Sequence, residues 1–427
     1  MSSSLPNLEY LKFLDPHLSL KILDYLLKQN ESDELKALYK ILSIKTKNFE
    51  KIEKGKFLSE SELGELKSKN EKETKDLENK ISRFLILCDN CEKQNSHDLS
   101  LFPLGKNIIE TTSPVDILNY GIHLFDINEY DKASKLLNSF SLLYENLPKA
   151  KSKTIFALYL LYSIKIYNEK YDEAKDTFEQ INKRLEGLKN IYDTSFKKFE
   201  FDSEEKTVVD FKEILLYRGY LLHWALFLIK SNSALFLDII FDTKNYLLVE
   251  TSFGYLFKYI IVFCFIHYSR KNITKLKDSI MKKKNILNKN KDCFIVLLEN
   301  ILVNFDNKNA MNNLKDCKNL MKKDYFLFEY IDEFEKKVKK FILEVYLTLN
   351  ECITIDEIKF IFDDDEEKTK KSCIDFINKN YPNSKVNENN NKIYYELNDD
   401  DINNYYKIKT DDLYSLTKNM IEVFQAN

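Results

Sequence analysis

Apolar residues along this chain recur mostly at i, i+3, i+4 and i+7, the spacing of a helix that turns one face to a core. Ile331, Phe334, Val338, Phe341, Ile342, Val345 and Leu349 follow it and predict a long helix over Glu329–Leu349. Near the N-terminus Leu18, Ile22, Tyr25 and Leu26 form a similar stripe behind Asp15-Pro16, an N-cap with proline at the first helical position. A second helix is expected behind Ser32, with Leu35, Leu38, Tyr39 and Leu42 inward. From Lys45 to Lys80 charged residues dominate, so that stretch reads equally as a solvated helix or a linker. Ile81–Leu87 resumes the apolar pattern. Ile214–Ile229 and Leu235–Phe265 are apolar on most faces, which predicts central helices. The most apolar run, Phe253–Tyr268, is shorter than a membrane span and carries Lys258 and His267; it should be a buried helix.

One device repeats. A helix over Leu118–Phe125 runs into Asn128-Glu129-Tyr130-Asp131-Lys132-Ala133 and a second helix through Leu136, Leu137 and Phe140. A unit of about 40 residues later, Ile155–Tyr167 is followed by Glu169-Lys170-Tyr171-Asp172-Glu173-Ala174, then Phe178, Ile181 and Leu185. A looser echo lies at Phe305–Ala310, between Phe294–Val303 and Leu314. In each copy the small Ala lets two helices approach, and the aromatic is expected to fill the gap to the next pair. The expectation is an all-α fold, a tetratricopeptide-like, right-handed helical-repeat solenoid.

After the Glu329–Leu349 helix the pattern changes. Cys352-Ile353-Thr354-Ile355 forms a tight extended turn, and Thr354-x-x-Glu357 is a capping box for a helix over Asp356–Phe362. Asp363–Glu367 places negative charge at the start of a second helix, about Asp365–Asn380, with Ile374 and Ile377 on one face. Pro382 stops it. Two β-prone runs follow, Lys385-Val386 and Ile393-Tyr394-Tyr395, separated by a polar Asn387–Asn391 turn. Helix, short strand, two helices and a hairpin is the order of a winged helix. Both hairpin strands are expected to offer an edge to a neighbouring chain. A last helix, Ile402–Phe424, sets Tyr406, Leu413 and Met420 on one row and Leu416 and Val423 on the next, a spacing suited to a helix bundle. The expected division is 1–112, helical with the charged segment 45–80; 113–337, the solenoid; 338–400, the winged helix; and 401–427, the final helix.

Composition sharpens this. Seven Gly and six Pro in 427 residues disfavour strand-and-turn folds and Gly-lined phosphate loops. A net charge of −3 supplies no global field toward nucleic acid or membrane. The odd seven cysteines do not make a disulfide framework, and Met1–Pro6 lacks the charged start of a secretory leader, so a reducing, cytoplasmic setting is expected. Cys88-x-x-Cys91 lacks the second pair that a zinc site needs, and His97 stands alone. His17 and His123 have no nucleophile or carboxylate at a catalytic spacing, and His223-Trp224 reads as core before it reads as a base-stacking site. No Walker loop, HExxH, EF-hand or nucleophile elbow occurs. The expectation is a protein without catalysis, cofactor or metal. One local field stands out. Arg270–Lys291 holds nine basic residues (Arg270, Lys271, Lys275, Lys277, Lys282, Lys283, Lys284, Lys289, Lys291) against Asp278, either a solvated surface or a patch that tracks RNA phosphates. Residues 351–400, with seven Lys against thirteen Asp and Glu, favour protein contact over nucleic acid.

The segments Phe13-Leu14-Asp15-x-His17-Leu18, Leu221-Leu222-His223-Trp224-Ala225-Leu226-Phe227, Val303-Asn304-Phe305-Asp306, Asp324-Tyr325-Phe326-Leu327 and Cys352-Ile353-Thr354-Ile355 resemble the e-subunit family of eukaryotic translation initiation factor 3. The likeness runs from about Leu118 to Tyr395 and over the first thirty residues, and is weak between Lys45 and Thr112. It implies a PCI domain, its helical part starting near 211, whose repeats end in the winged helix. It also implies a non-catalytic scaffold protein in a cytoplasmic complex on the small ribosomal subunit. The implied partners are other subunits of that factor, including c, d and l, and the initiation factor 4G scaffold, with a role in messenger RNA recruitment. Two alternatives keep parts of this reading: a PCI subunit of the proteasome lid or signalosome, and a free-standing RNA-binding adaptor resting on the 270–291 patch.

Overall fold

The computed structural model describes residues 9–29, 32–94, 104–145, 147, 150–195, 211–282, 292–349, 352–362, 366–380, 385–389 and 392–396. Helices dominate, as the apolar spacing predicts. The chain divides into two units, residues 1–253 with 323–328, and residues 254–322 with 329–427.

In the first unit α1 (Pro16–Gln29) begins where expected, the Asp15 carboxylate accepting the His17 N–H at 2.8 Å. Leu18, Ile22 and Leu26 are buried. Ser32 stands at the N-cap of α2 (Asp33–Lys45), but its side chain makes no capping bond. The charged stretch resolves as two helices, α3 (Phe49–Lys54) and α4 (Glu60–Lys80). Glu62 accepts the Ser59 N–H at 2.8 Å and donates its own N–H to Ser59 Oγ at 3.4 Å, a capping box that starts α4. α4 fully buries only Asn70, with Leu63, Leu66 and Leu77 half-buried on the same face, so polar contacts share in seating it. Lys47 Nζ reaches Glu73 at 2.8 Å and His123 Nδ1 at 3.2 Å, while His123 Nε2 meets Thr74 Oγ1 at 2.7 Å. Thr74 donates its hydroxyl to the Asn70 carbonyl at 2.8 Å, so it accepts from His123, which is therefore neutral with its proton on Nε2.

Then come α5 (Ser82–Lys93), α6 (Gly105–Thr111), α7 (Pro114–Asp126), α8 (Tyr130–Leu143), α9 (Lys151–Tyr167) and α10 (Tyr171–Ser195). From α7 to α10 each helix packs on the next. Ala133 and Ala174 are fully buried, as the repeat requires. At Gly121 an added Cβ would stand 2.7 Å from Leu137 Cδ2, which shows how closely α7 approaches α8. Tyr130 packs on Phe125 and on Tyr167 of the next pair, ring centroids 5.6 and 5.0 Å away.

The turns share one backbone solution. Asn128 (φ 66°) and Glu169 (φ 61°) lie in the left-handed region. Asn128 N–H donates to the Phe125 carbonyl and Glu129 N–H to that of Leu124; Glu169 and Lys170 repeat this to Ile166 and Lys165. This is the Schellman motif, which collects the free carbonyls at a helix end. Lys47 (φ 47°) closes α2 and Lys56 (φ 49°) closes α3 in the same way. Glycine usually takes such a position, yet here side-chain-bearing residues do. Gly55 precedes Lys56 for a different reason: the Phe57 ring occupies the place of its missing Cβ.

α11 (Phe211–Trp224), a 3-10 turn (Ala225–Leu228) and α12 (Ile229–Phe241) form the apolar centre, followed by α13 (Thr243–Ser252). Residues 214–241 are long and apolar enough to cross a membrane by length and composition alone. They are broken by the 3-10 turn and by a non-helical Asn232, and Leu221, Leu222 and Trp224 to Ile229 are buried in the unit. The expected Leu235–Phe265 run is likewise interrupted. Asp242 ends one helix and caps the next, accepting from the Lys244 and Asn245 N–H groups.

The second unit contains α14 (Phe257–Ile266), buried on every side except at Lys258, then α15 (Arg270–Lys282), α16 (Cys293–Leu302), α17 (Asn307–Met321) and α18 (Ile331–Leu349). The Schellman turn recurs at Tyr268 (φ 53°). Ala310 is fully buried. Phe305 corrects the expected role of the aromatic: it is left-handed (φ 53°) and 50% exposed, so it ends a helix rather than filling a gap. Phe334 and Phe341 of α18 meet the Phe265 ring edge-on, and Lys318 of α17 pairs with Glu335.

Candidate functional site

Within the first unit, three segments far apart in sequence meet in one aromatic cluster. Trp224 Nε1 donates to the Phe13 carbonyl at 2.6 Å, satisfying the indole N–H inside the core. The Phe13 ring stacks on His223 (4.3 Å, 13°), and Phe253 packs edge-on against both. His223 Nδ1 donates to the Gly219 carbonyl at 2.6 Å, and burial lowers its pKa from 6.5 to about 4. Phe326 packs edge-on against Tyr10 and Phe227, and Tyr25 against Tyr325. The Asp324 carboxylate fixes that third segment by accepting the Phe326 N–H at 2.9 Å. With Trp224 6% exposed and His223 fully buried, His223-Trp224 is core and not a stacking platform for a base.

The C-terminal part of the second unit is built from β1 (Cys352–Thr354), α19 (Ile355–Ile358), a 3-10 turn (Lys359–Phe362), α20 (Glu366–Asn380), β2 (Lys385–Asn389) and β3 (Lys392–Glu396). Glu357 accepts the Thr354 N–H at 3.0 Å, the return half of the expected capping box. Ile355, Ile358, Ile361, Cys373 and Ile377 are buried. The strands form an antiparallel sheet in the order β1-β3-β2. This corrects the reading of both hairpin strands as edges. β3 is central, with Ile393 opposite Ile353 and Glu388, and Tyr394 opposite Cys352 and Asn387. Among the described residues, the outer edges belong to β1 and β2, so Lys385 and Val386 lie on an edge and Ile393 and Tyr394 do not. Tyr395 pairs with Val386 alone. The polar turn is also shorter than expected, since pairing continues to Asn389↔Lys392 and main-chain ladder bonds outweigh the poor strand preference of Asn.

The basic segment is described in part. On α15, Ile273 and Leu276 are buried while Lys271 and Lys275, one turn apart, are exposed and Lys277 is half-buried. Arg270 and Lys282 lie at its two ends. Lys283 and Lys284 fall outside the described residues, as do Tyr406, Leu413, Leu416, Met420 and Val423 of the predicted last helix.

No family model matches the chain. A Caenorhabditis elegans protein, named as the E subunit of eukaryotic translation initiation factor 3, is 23% identical over 387 residues, covering 86% of this chain and 84% of its own length. Proteins of the same name from Monosiga brevicollis and Yarrowia lipolytica are 26% identical over 364 residues and 19% over 402, covering 80% and 90% of this chain and 69% and 90% of their own lengths. The chain is similar to the E subunit of initiation factor 3. A likeness over 90% of the chain must reach into both units, since neither holds so many residues.

No cluster of three His, Cys, Asp or Glu side chains able to hold a metal ion occurs among the described residues. Burial pushes the Cys88 thiol up to about 12, the opposite of what a nucleophile or metal ligand needs. The Lys47–His123–Thr74 relay, which seats α4, went unread in the sequence. Its signal was present as one His on an apolar helix facing a stretch where charged residues dominate.

Proposed function

We propose that this chain is a non-catalytic subunit of eukaryotic translation initiation factor 3 and works as a scaffold in the cytoplasm. The observation that supports this most directly is the shared name of relatives that match most of the chain from three organisms. In this reading residues 1–112 are an N-terminal helical region, 113–337 a right-handed tetratricopeptide-like solenoid, 338–400 the winged helix of a PCI domain whose helical part starts near 211, and 401–427 a bundle helix. The β1-α19-α20-β2-β3 order and the three-stranded antiparallel sheet support the winged helix. Assembly with the other subunits, c, d and l among them, would run through two surfaces. One is the β2 edge at Lys385 and Val386, with Ile393, Tyr394 and Tyr395 behind it. The other is the final helix at Tyr406, Leu413, Leu416, Met420 and Val423. Arg270, Lys271, Lys275, Lys277, Lys282, Lys283 and Lys284 would face RNA on the small ribosomal subunit, and the whole would support messenger RNA recruitment with the initiation factor 4G scaffold.

Affinity purification of the tagged chain from its own cells, followed by mass spectrometry, tests this. Initiation factor 3 subunits and small-subunit ribosomal proteins are the expected catch. Recovery of proteasome-lid or signalosome subunits, or of messenger RNA with no stable protein partner, would replace the reading with one of its alternatives.

A further inference from the structure

The α16–α17 hairpin brings two thiols together for which the scaffold reading has no use. Cys293 is the first residue of α16 and Cys317 stands one turn before the end of α17, so the two meet at the open end of the hairpin. Cys317 Sγ donates to Cys293 Sγ at 3.3 Å. Cys317 is fully buried and Cys293 partly exposed, which gives the pair one sulfur that a small solute can reach and one that only its partner can reach. A disulfide holds its sulfurs about 2 Å apart, so bond formation asks for an approach of about 1.3 Å, within the range of a side-chain adjustment.

We propose that Cys293 and Cys317 form a redox modification site, a dithiol that reacts with hydroperoxides and closes to a disulfide clamping the open end of this hairpin. Cys293 attacks first. Its sulfur bonds to one peroxide oxygen, the O–O bond breaks, and the thiol proton leaves with the departing oxygen as water, leaving a sulfenic acid on Cys293. Cys317 then attacks that sulfur. The S–S bond forms, the S–O bond breaks, and the Cys317 proton departs with the hydroxide as a second water. Two thiols lose two electrons and one hydrogen peroxide gains them. Burial, the bond to Cys293 and the carboxylates of Asp292 and Asp316 all raise the Cys317 pKa, so it keeps its proton until the sulfenic acid offers a leaving group. Burial holds the Cys264 and Cys373 thiols high, as it does those of Cys88 and Cys91, whereas Cys293 is partly exposed beside a second thiol. Closure ties the chain emerging from the basic segment to the end of α17 and encloses residues 294–316, a loop long enough for the link to restrict the unfolded chain measurably.

The test treats the purified full-length chain with hydrogen peroxide, blocks remaining thiols under denaturing conditions and maps the peptides. The expected result is a Cys293–Cys317 link that a dithiol reductant reverses, with a melting temperature that rises on oxidation and returns on reduction. Cys317→Ser should leave Cys293 as a sulfenic acid that dimedone captures. If that buried substitution prevents folding, Cys293→Ser serves instead: Cys317 should then stay unmodified at peroxide doses that link the wild type. Wild-type protein that oxidises Cys293 to sulfenic or sulfinic acid without the link would overturn the proposal. So would both thiols remaining blockable while other cysteines react, or Cys317 oxidising as fast in the Cys293→Ser protein.

Discussion

Two positions show how single residues set the stability of this chain. His223 is fully buried, neutral and bonded to the Gly219 carbonyl, with its folded pKa near 4 against an unfolded value of 6.5. Between those values the unfolded chain binds a proton that the folded chain refuses. Stability is therefore complete above about pH 6.5 and falls as pH drops toward 4, by about 3 kcal/mol for this group. His123 adds to the loss in the same direction, because burial and then the Lys47 ammonium lower its pKa as well. Urea unfolding of the wild type should show midpoints that fall between pH 7 and 5, and a His223→Gln variant, whose amide can still donate to Gly219, should show a flatter fall. Equal slopes would mean that His223 is not desolvated as described. Lys56 carries the opposite lesson. It is exposed and holds φ 49°, a conformation that costs a side-chain-bearing residue about 1 kcal/mol and costs glycine nothing in sterics. Lys56→Gly should raise the unfolding midpoint, and a fall would show that the Schellman geometry at α3 is not retained.

At the scale of elements the edge of the sheet can be tested residue by residue. Along β2, successive N–H groups point alternately toward β3 and away from it. Of Val386→Pro and Asn387→Pro, one must remove a ladder bond to β3 and the other only a donor on the outer edge. If that edge pairs with a neighbouring subunit, both variants should lose assembly, and only one should also lower the stability of the isolated chain. Two variants that assemble normally would exclude β-augmentation at β2. The same sheet marks how far the sequence could be read. Strand positions, the Thr354–Glu357 capping box and the α18 stripe were plain from local spacing, because each depends on neighbours within a few residues. Strand order was not. Nothing within Ile393–Tyr395 says that Cys352–Thr354 will pair with it from across α19 and α20, so a central strand read as an edge. The left-handed turns at Glu169 and Tyr268 escaped for a related reason: without the Gly or Asn that favours such a position they carry no local mark, and only the closed carbonyls at the helix ends show them. The polar seating of α4 depended on partners at Lys47 and His123, distant in sequence.

Over the whole molecule, the aromatic cluster and the proposed contact surfaces divide the work between holding shape and meeting neighbours. Segments around Phe13, Trp224 and Phe326 are spent inside the first unit, where they hold its core together. If the chain works as a scaffold, recognition comes from the outside. Two exposed lysines on α15 allow that outside to be tested apart from assembly, since Lys271 and Lys275 share a face that turns away from the buried Ile273 and Leu276. Reversal of both to Glu should leave folding and subunit composition unchanged. If the face tracks phosphates, the doubly reversed chain in its complex should bind RNA less tightly at low salt, and the slope of log affinity against log salt should flatten by about 0.7–0.9 for each phosphate no longer neutralised. Removal of residues 401–427 should do the reverse, releasing the chain from its partners while the described helices stay folded. A charge reversal that changes neither affinity nor slope would return Lys271 and Lys275 to an ordinary solvated surface, without touching the argument that the chain assembles through its C-terminal part.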